Sequence, residues 1–217
     1  MIPFKDDNPI ERFPLVTVAI IVVNALVYIY QLALGADGQQ FVMQMGLIPN
    51  EITRMVDNPP YALVPLPFTA ISAMFMHGGI MHLGGNMLYL WIFGDNVEDA
   101  MGRLRFFIFY LTCGLAASAL HIAIDPSSEM PMIGASGAIA GVLGAYWILF
   151  PRARVDTLVF VFIMPVPAGL VLGLWFALQV LNVGLGGGVA WFAHIGGFLA
   201  GIALILAARR RRPLGRR

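Results

Sequence analysis

Long, nearly uncharged apolar runs alternate along this chain with short islands of charge. No other feature constrains its fold as much. A hydrocarbon core of about 30 Å is crossed by roughly 20 apolar residues in a helix, and several runs here have that length. Only 12% of the 217 residues are charged, against roughly a quarter in soluble domains. The pattern predicts an all-α polytopic membrane protein and excludes a soluble globular domain.

Six spans can be drawn, over residues 13–34, 81–97, 104–124, 135–150, 168–181 and 189–208. The first exceeds the roughly 7–15-residue core of a signal peptide and reads as a true span. The stretch 155–183 is too long for one upright helix and is interrupted by Pro165 and Pro167. Proline stops or kinks a helix, so 155–164 is expected as an interfacial approach to the fifth span. The organisation that follows is an N-terminal segment 1–12, a membrane domain 13–208 and a basic tail 209–217. Spans one and two are joined by a long segment, about 35–75, in which Pro49, Pro59, Pro60, Pro65 and Pro67 lie among apolar residues. It is expected to be an ordered, partly immersed loop.

The basic residues give the orientation. If the arginine-rich tail is cytoplasmic, six spans put the N-terminus inside as well. Lys5, Arg12, Arg103, Arg105, Arg152, Arg154 and the six arginines of the tail then lie inside, and Arg54 alone lies outside. That asymmetry follows the positive-inside rule. The tail reads as a segment lying against anionic lipid and not as a nucleic-acid patch. Cys113, the one cysteine, sits in an apolar run, where a free thiol behaves as a small hydrophobe.

Four polar residues interrupt the apolar spans: His82, Asn86, Ser136 and His194. Polar groups inside spanning helices are costly and mark functional sites. Spans two, four and six all begin on the outer side. His82 opens the second, with Asn86 one turn deeper on the same helix face. Ser136 lies in the first turn of the fourth. His194 lies about five residues into the sixth, or roughly 8 Å at 1.5 Å per residue. All four are therefore expected at similar shallow depths. Gly137 and Gly141, and Gly197 and Gly201, form GxxxG spacings beside the serine and the histidine, which let helix backbones approach closely in lipid.

Each residue alone has a plain reading. A serine among glycines is a packing residue, and an intramembrane histidine or asparagine is interhelical glue. Together they form a chemical set. A serine hydroxyl is a poor nucleophile until a base takes its proton, and His194 is the candidate base. No carboxylate lies in the outer half of span four or six, so a Ser–His dyad is expected. Acyl transfer also requires donors aimed at the developing oxyanion. The backbone N–H of Ser136, in a first helical turn, has no intrahelical acceptor. Asn86 and His82 add side-chain donors.

At these residues the sequence resembles the rhomboid family of intramembrane serine proteases. The resemblance rests on His77-Gly78-Gly79-Ile80-Met81-His82-Leu83-Gly84-Gly85-Asn86, on Gly94-Asp95-Asn96-Val97-Glu98 with Gly102, on Gly134-Ala135-Ser136-Gly137-Ala138, and on Ala193-His194-Ile195-Gly196-Gly197 with Gly201. It implies six spans, Ser136 as nucleophile, His194 as general base, and an oxyanion site lined by His82 and Asn86. It also implies structural support from His77, which steadies the outer loop, and from Glu98 near the inner face, with Gly134, Gly137, Gly197 and Gly201. No metal or other cofactor is implied. The partners implied are membrane lipids and single-pass membrane proteins, cut in or near their spanning helices. A bacterial-type plasma membrane is the expected setting, with both termini cytoplasmic and the site opening outward.

The sequence departs from the family pattern in two places. Some members carry Trp-Arg in the outer loop, where the nearest pair here is Thr53-Arg54. Some place an aromatic residue four positions after the serine to support the histidine, where this chain has Ala140 and its next tyrosine is Tyr146. The support of His194 is thus left open by the sequence. The alternative function weighed is a catalytically inactive relative that binds spanning helices; it would need neither Ser136 nor His194. A transporter would distribute ionisable residues along a path through the membrane, whereas here the polar groups cluster near one face.

Overall fold

The computed structural model describes residues 2–183 and 188–211. It is mostly helical. The long helices are α1 (Leu15–Ala33), α5 (Ile80–Met101), α6 (Arg103–Ile124), α7 (Ser136–Leu149), α8 (Ala168–Leu181) and α9 (Trp191–Arg211), with three short ones, α2 (Gly38–Met45), α3 (Pro49–Arg54) and α4 (Thr69–Ser72), between α1 and α5. Among the described residues, α1, α6 and the Trp191–Arg209 part of α9 are long and apolar enough to cross a membrane, and α7 and α8 are shorter apolar helices. α5 is long, but Asp95, Glu98 and Asp99 occupy its last two turns. Of the basic tail drawn from residue 209, residues 212–217 lie outside those described.

α7 is the central element. Gly137 to Tyr146 are buried without a break, as expected for a helix apolar on every side. Its main neighbours are α9, α6 and α5. The α7–α9 contact is made backbone against backbone. A Cβ at Gly197 would run into the carbonyl of Gly137, one at Gly201 into the carbonyl of Gly141, and one at Gly144 into that of Phe198. The two GxxxG spacings therefore face each other.

The expectation of an all-α chain needs one correction. Residues Ile2–Asp6 (β1), Arg154–Val159 (β2) and Phe162–Pro167 (β3) form an antiparallel sheet in the order β1-β2-β3. The segment drawn as an interfacial approach is thus a hairpin, and the N-terminal segment is its third strand. The reason is local. The charged Arg154 and Asp156 alternate with the β-branched Val155 and Thr157, the period of a half-buried strand, and Val155 and Thr157 are buried. Pro165 and Pro167 exclude helix but are tolerated on an edge strand, which β3 is. At the end of α7 remote from Ser136, the Tyr146 hydroxyl donates to the Asp6 carboxylate. Partial burial there raises the Asp6 pKa to about 6, although the Tyr146 bond favours the charged form.

The 35–75 segment carries α2, α3 and α4 and reaches the start of α7. Leu47 and Met132 exchange backbone hydrogen bonds of 3.1 and 2.7 Å, and Gly134 N–H donates to the Ala73 carbonyl at 2.8 Å. The segment leading into Ser136 is thereby held by backbone bonds at Met132 and Gly134.

Candidate active site

Ser136 is the first residue of α7 and His194 lies in the first turn of α9. The glycine contact between these helices brings Ser136 Oγ to 2.8 Å from His194 Nε2. Both side chains are half-buried. A hydroxyl hydrogen-bonded to an imidazole nitrogen is the geometry of a nucleophile with its base.

Gly134 brings in the donors. Its φ of +117° lies in the region that favours glycine, and a Cβ there would stand 2.8 Å from His82 Nε2 and 3.6 Å from Asn86 Nδ2. Both donors therefore converge on the backbone two residues before Ser136. Across from this edge, His82 Nδ1 accepts a long bond of 3.4 Å from Gly78 N–H, which leaves the ring proton on Nε2. A Cβ at Gly137 would stand 2.7 Å from the Ala117 methyl, so α6 also presses on this turn. A small cavity beside Ser136 is lined by Ala73, Met74, Gly114, Ala117, Met132 and Ala193.

His77 braces the site from behind, while Glu98 ties the far end of α5 to α1. His77 is 1% exposed, and its Nε2 accepts from Asn86 Nδ2 at 2.9 Å. The His77 and His82 rings meet edge to face at 5.1 Å. Glu98 is buried and accepts from Val16 N–H at 3.0 Å, Thr17 N–H at 2.7 Å and the Thr17 hydroxyl at 2.8 Å. It thus caps the start of α1, where backbone donors lack intrahelical acceptors and a negative charge is favoured.

The support of His194, left open by the sequence, comes from residues it did not single out. Ala140 is fully buried and offers no ring to His194. The flanking rings come instead from α8 and α9, with Trp175 at 5.9 Å and Trp191 at 6.2 Å between centroids. The remaining ring nitrogen, His194 Nδ1, lies 2.7 Å from Gln179 Oε1. On the other side of the site, Gln31 of α1 bonds the backbone of His77. Gln31 and Gln179 are both polar residues in apolar runs, the same signal that singled out Asn86. Among the described residues no cluster of His, Cys, Asp and Glu could hold a metal ion.

The family model described as the Rhomboid domain matches residues 67–211, well over half of the chain. This chain belongs to the rhomboid family. It is 34% identical over 141 residues to Rhomboid protein 1, mitochondrial, of Saccharomyces cerevisiae, covering 61% of this chain and 39% of the yeast protein. It is 31% identical over 169 residues to Presenilin-associated rhomboid-like protein A, mitochondrial, of Danio rerio, covering 72% and 42%. It is 35% identical over 140 residues to Rhomboid protease GluP of Bacillus subtilis, covering 62% and 25%. The chain thus spans less than half the length of these rhomboid relatives. The matched region holds every residue of the site except Gln31.

Proposed function

We propose that this rhomboid is a serine endopeptidase that cuts single-pass membrane proteins in or near their spanning helices. The observation that carries this reading is the 2.8 Å contact between Ser136 Oγ and His194 Nε2 inside a bundle of apolar helices. His194 Nε2 takes the hydroxyl proton as Ser136 Oγ adds to the scissile carbonyl carbon. The resulting oxyanion is held by Asn86, His82 and the backbone N–H of Ser136. The C–N bond then breaks, the amine leaves with the proton from His194, and water hydrolyses the acyl-serine ester by the same steps. The protein named a rhomboid protease among the relatives supports the class of reaction.

The same reading has six spans with both termini cytoplasmic, the 35–75 loop partly immersed, and the site opening to the outer face. Twelve basic residues against one support that orientation. A bacterial-type plasma membrane is the proposed setting. A mitochondrial membrane is the second reading, favoured by the relatives from yeast and zebrafish.

The test is labelling of purified protein with a fluorophosphonate serine probe, wild type beside Ser136→Ala. Labelling of wild type alone supports the reading. A folded wild type left unlabelled by two probe classes, in detergent and in bilayers, points to the helix-binding relative.

A further inference from the structure

A base histidine has to present a lone pair to its serine, so its proton must sit on the other ring nitrogen. In this fold that other nitrogen meets a residue of a third helix. Gln179, on α8, is buried with 6% exposure. Its Nε2 donates to the Trp175 carbonyl one turn back, at 2.9 Å. With the amide nitrogen so committed, the amide oxygen is turned to His194 Nδ1 at 2.7 Å. An amide oxygen only accepts, so His194 carries its proton on Nδ1. Nε2 is then the acceptor that faces Ser136 Oγ at 2.8 Å.

We infer that Gln179 is a positioning residue for the proposed hydrolysis, fixing the tautomer and ring angle of His194 through an amide held by the Trp175 backbone. The inference rests on the reading of Ser136 and His194 as nucleophile and base. Trp175 contributes twice, through its carbonyl and through the ring that lies against the imidazole at 35°. Gln179 takes the place that an aspartate fills in Ser-His-Asp sites and an asparagine in Cys-His-Asn sites. The neutral amide suits its position. A carboxylate on an apolar helix would have to be desolvated, at considerable cost unless paired, whereas a hydrogen-bonded amide is tolerated there. No proton passes to Gln179. When His194 takes the Ser136 proton, Nδ1–H stays on the amide oxygen, and the proton on Nε2 leaves with the amine.

The experiment uses the full chain in detergent micelles with Gln179→Met and Gln179→Glu, read by fluorophosphonate labelling rate across pH. Methionine keeps the length and apolar fit but has no strong acceptor. Its labelling should slow on the order of 100-fold, the lower end of what a positioned general base contributes. Glutamate keeps the acceptor. It should restore much of the rate, and its charge should move the acid limb of the pH profile upward by favouring the protonated imidazole. Gln179→Met within about twofold of wild type overturns the inference. So does equal damage in both variants with an unmoved profile, because a packing role alone would give that.

A second readout does not depend on turnover. In ¹⁵N-histidine spectra of the wild type, with His194 assigned by its loss in His194→Ala, the proton should reside on Nδ1. A proton on Nε2 overturns the inference without any change at Gln179. If wild type never labels, the proposed function fails, while the ¹⁵N spectrum still decides whether Gln179 sets the tautomer.

Discussion

Gln31 and His77 are joined by two hydrogen bonds, side-chain amide to backbone: Gln31 Nε2 donates to the His77 carbonyl at 3.0 Å, and His77 N–H donates to Gln31 Oε1 at 3.2 Å. The amide imitates one rung of a β-ladder, so α1 holds the segment before α5 as a neighbouring strand would. His77 in turn accepts from Asn86. A first-helix residue thus reaches Asn86, the proposed oxyanion donor, through one intermediary.

Gln31→Leu should lower the unfolding temperature in detergent and slow labelling of Ser136. It strands a buried N–H and C=O, and each unsatisfied group costs about 1–3 kcal/mol. Unchanged melting and unchanged labelling together would show that the bonds contribute nothing.

Asn86→Ala should leave the fold intact and cut turnover about ten- to a thousandfold, the order found for single oxyanion donors. The loss should fall on kcat, because the donor acts on charge that develops in the transition state. A change confined to KM would place Asn86 in substrate binding instead.

Ser136→Ala and His194→Ala should each abolish cleavage of a single-pass reporter protein, and the double variant should be no worse than either. Residues that act as one unit are not additive. A single variant that keeps substantial turnover, lost only in the double, would mean that the two side chains work separately.

Gly197→Ala and Gly201→Ala should each destabilise the bundle and silence the site, because the added methyl meets the carbonyl of Gly137 or Gly141. Overpacking of this kind costs about 1–3 kcal/mol or more. Gly173→Ala on α8 is the control, since its methyl would meet Trp147 at 3.8 Å, an ordinary contact. Equal melting temperatures for all three would contradict the close approach.

The Asp6 carboxyl, with its pKa raised to about 6 mainly by burial, gives stability a pH dependence of defined sign. The native state binds its proton more readily than the unfolded chain does. Stability from this group therefore falls as pH rises through the range between the ordinary carboxylate value and about 6. Melting temperature should be higher near pH 5 than near pH 7, and Asp6→Asn should flatten the difference. A wild type that melts lower at pH 5, with Asp6→Asn unchanged from it, would contradict the sign.

The helices were legible because their signal is long-range composition: α8 begins and ends where the prolines and the apolar run place it, at Ala168 and Leu181. The approach of Ser136 to His194 was legible because their glycine flanks announce a backbone contact. The sheet was not. Its pairing joins residues 2–6 to 154–159, and nothing local to Ile2–Asp6 names a partner so distant. Gln31 and Gln179 carried the same signal as Asn86, but their partners are a backbone and a ring nitrogen on other helices. No spacing along one helix reveals such a partner.

The distance between β1 and β2 along the chain has a consequence for the order of assembly. β1 is synthesised before β2, and this hydrogen-bonding partner follows four of the long helices, α1, α5, α6 and α7. Closing so long a loop carries an entropic cost that has to be met before the contact returns anything. During synthesis residues 2–6 therefore have no partner strand until α1, α5, α6 and α7 have been made. A nascent chain halted before Arg154 would hold Ser136 and the 35–75 segment bonded to the residues before it, but leave that strand open to other edges. Completion of the hairpin is the step that ties the first residues to the end of the helix carrying the serine.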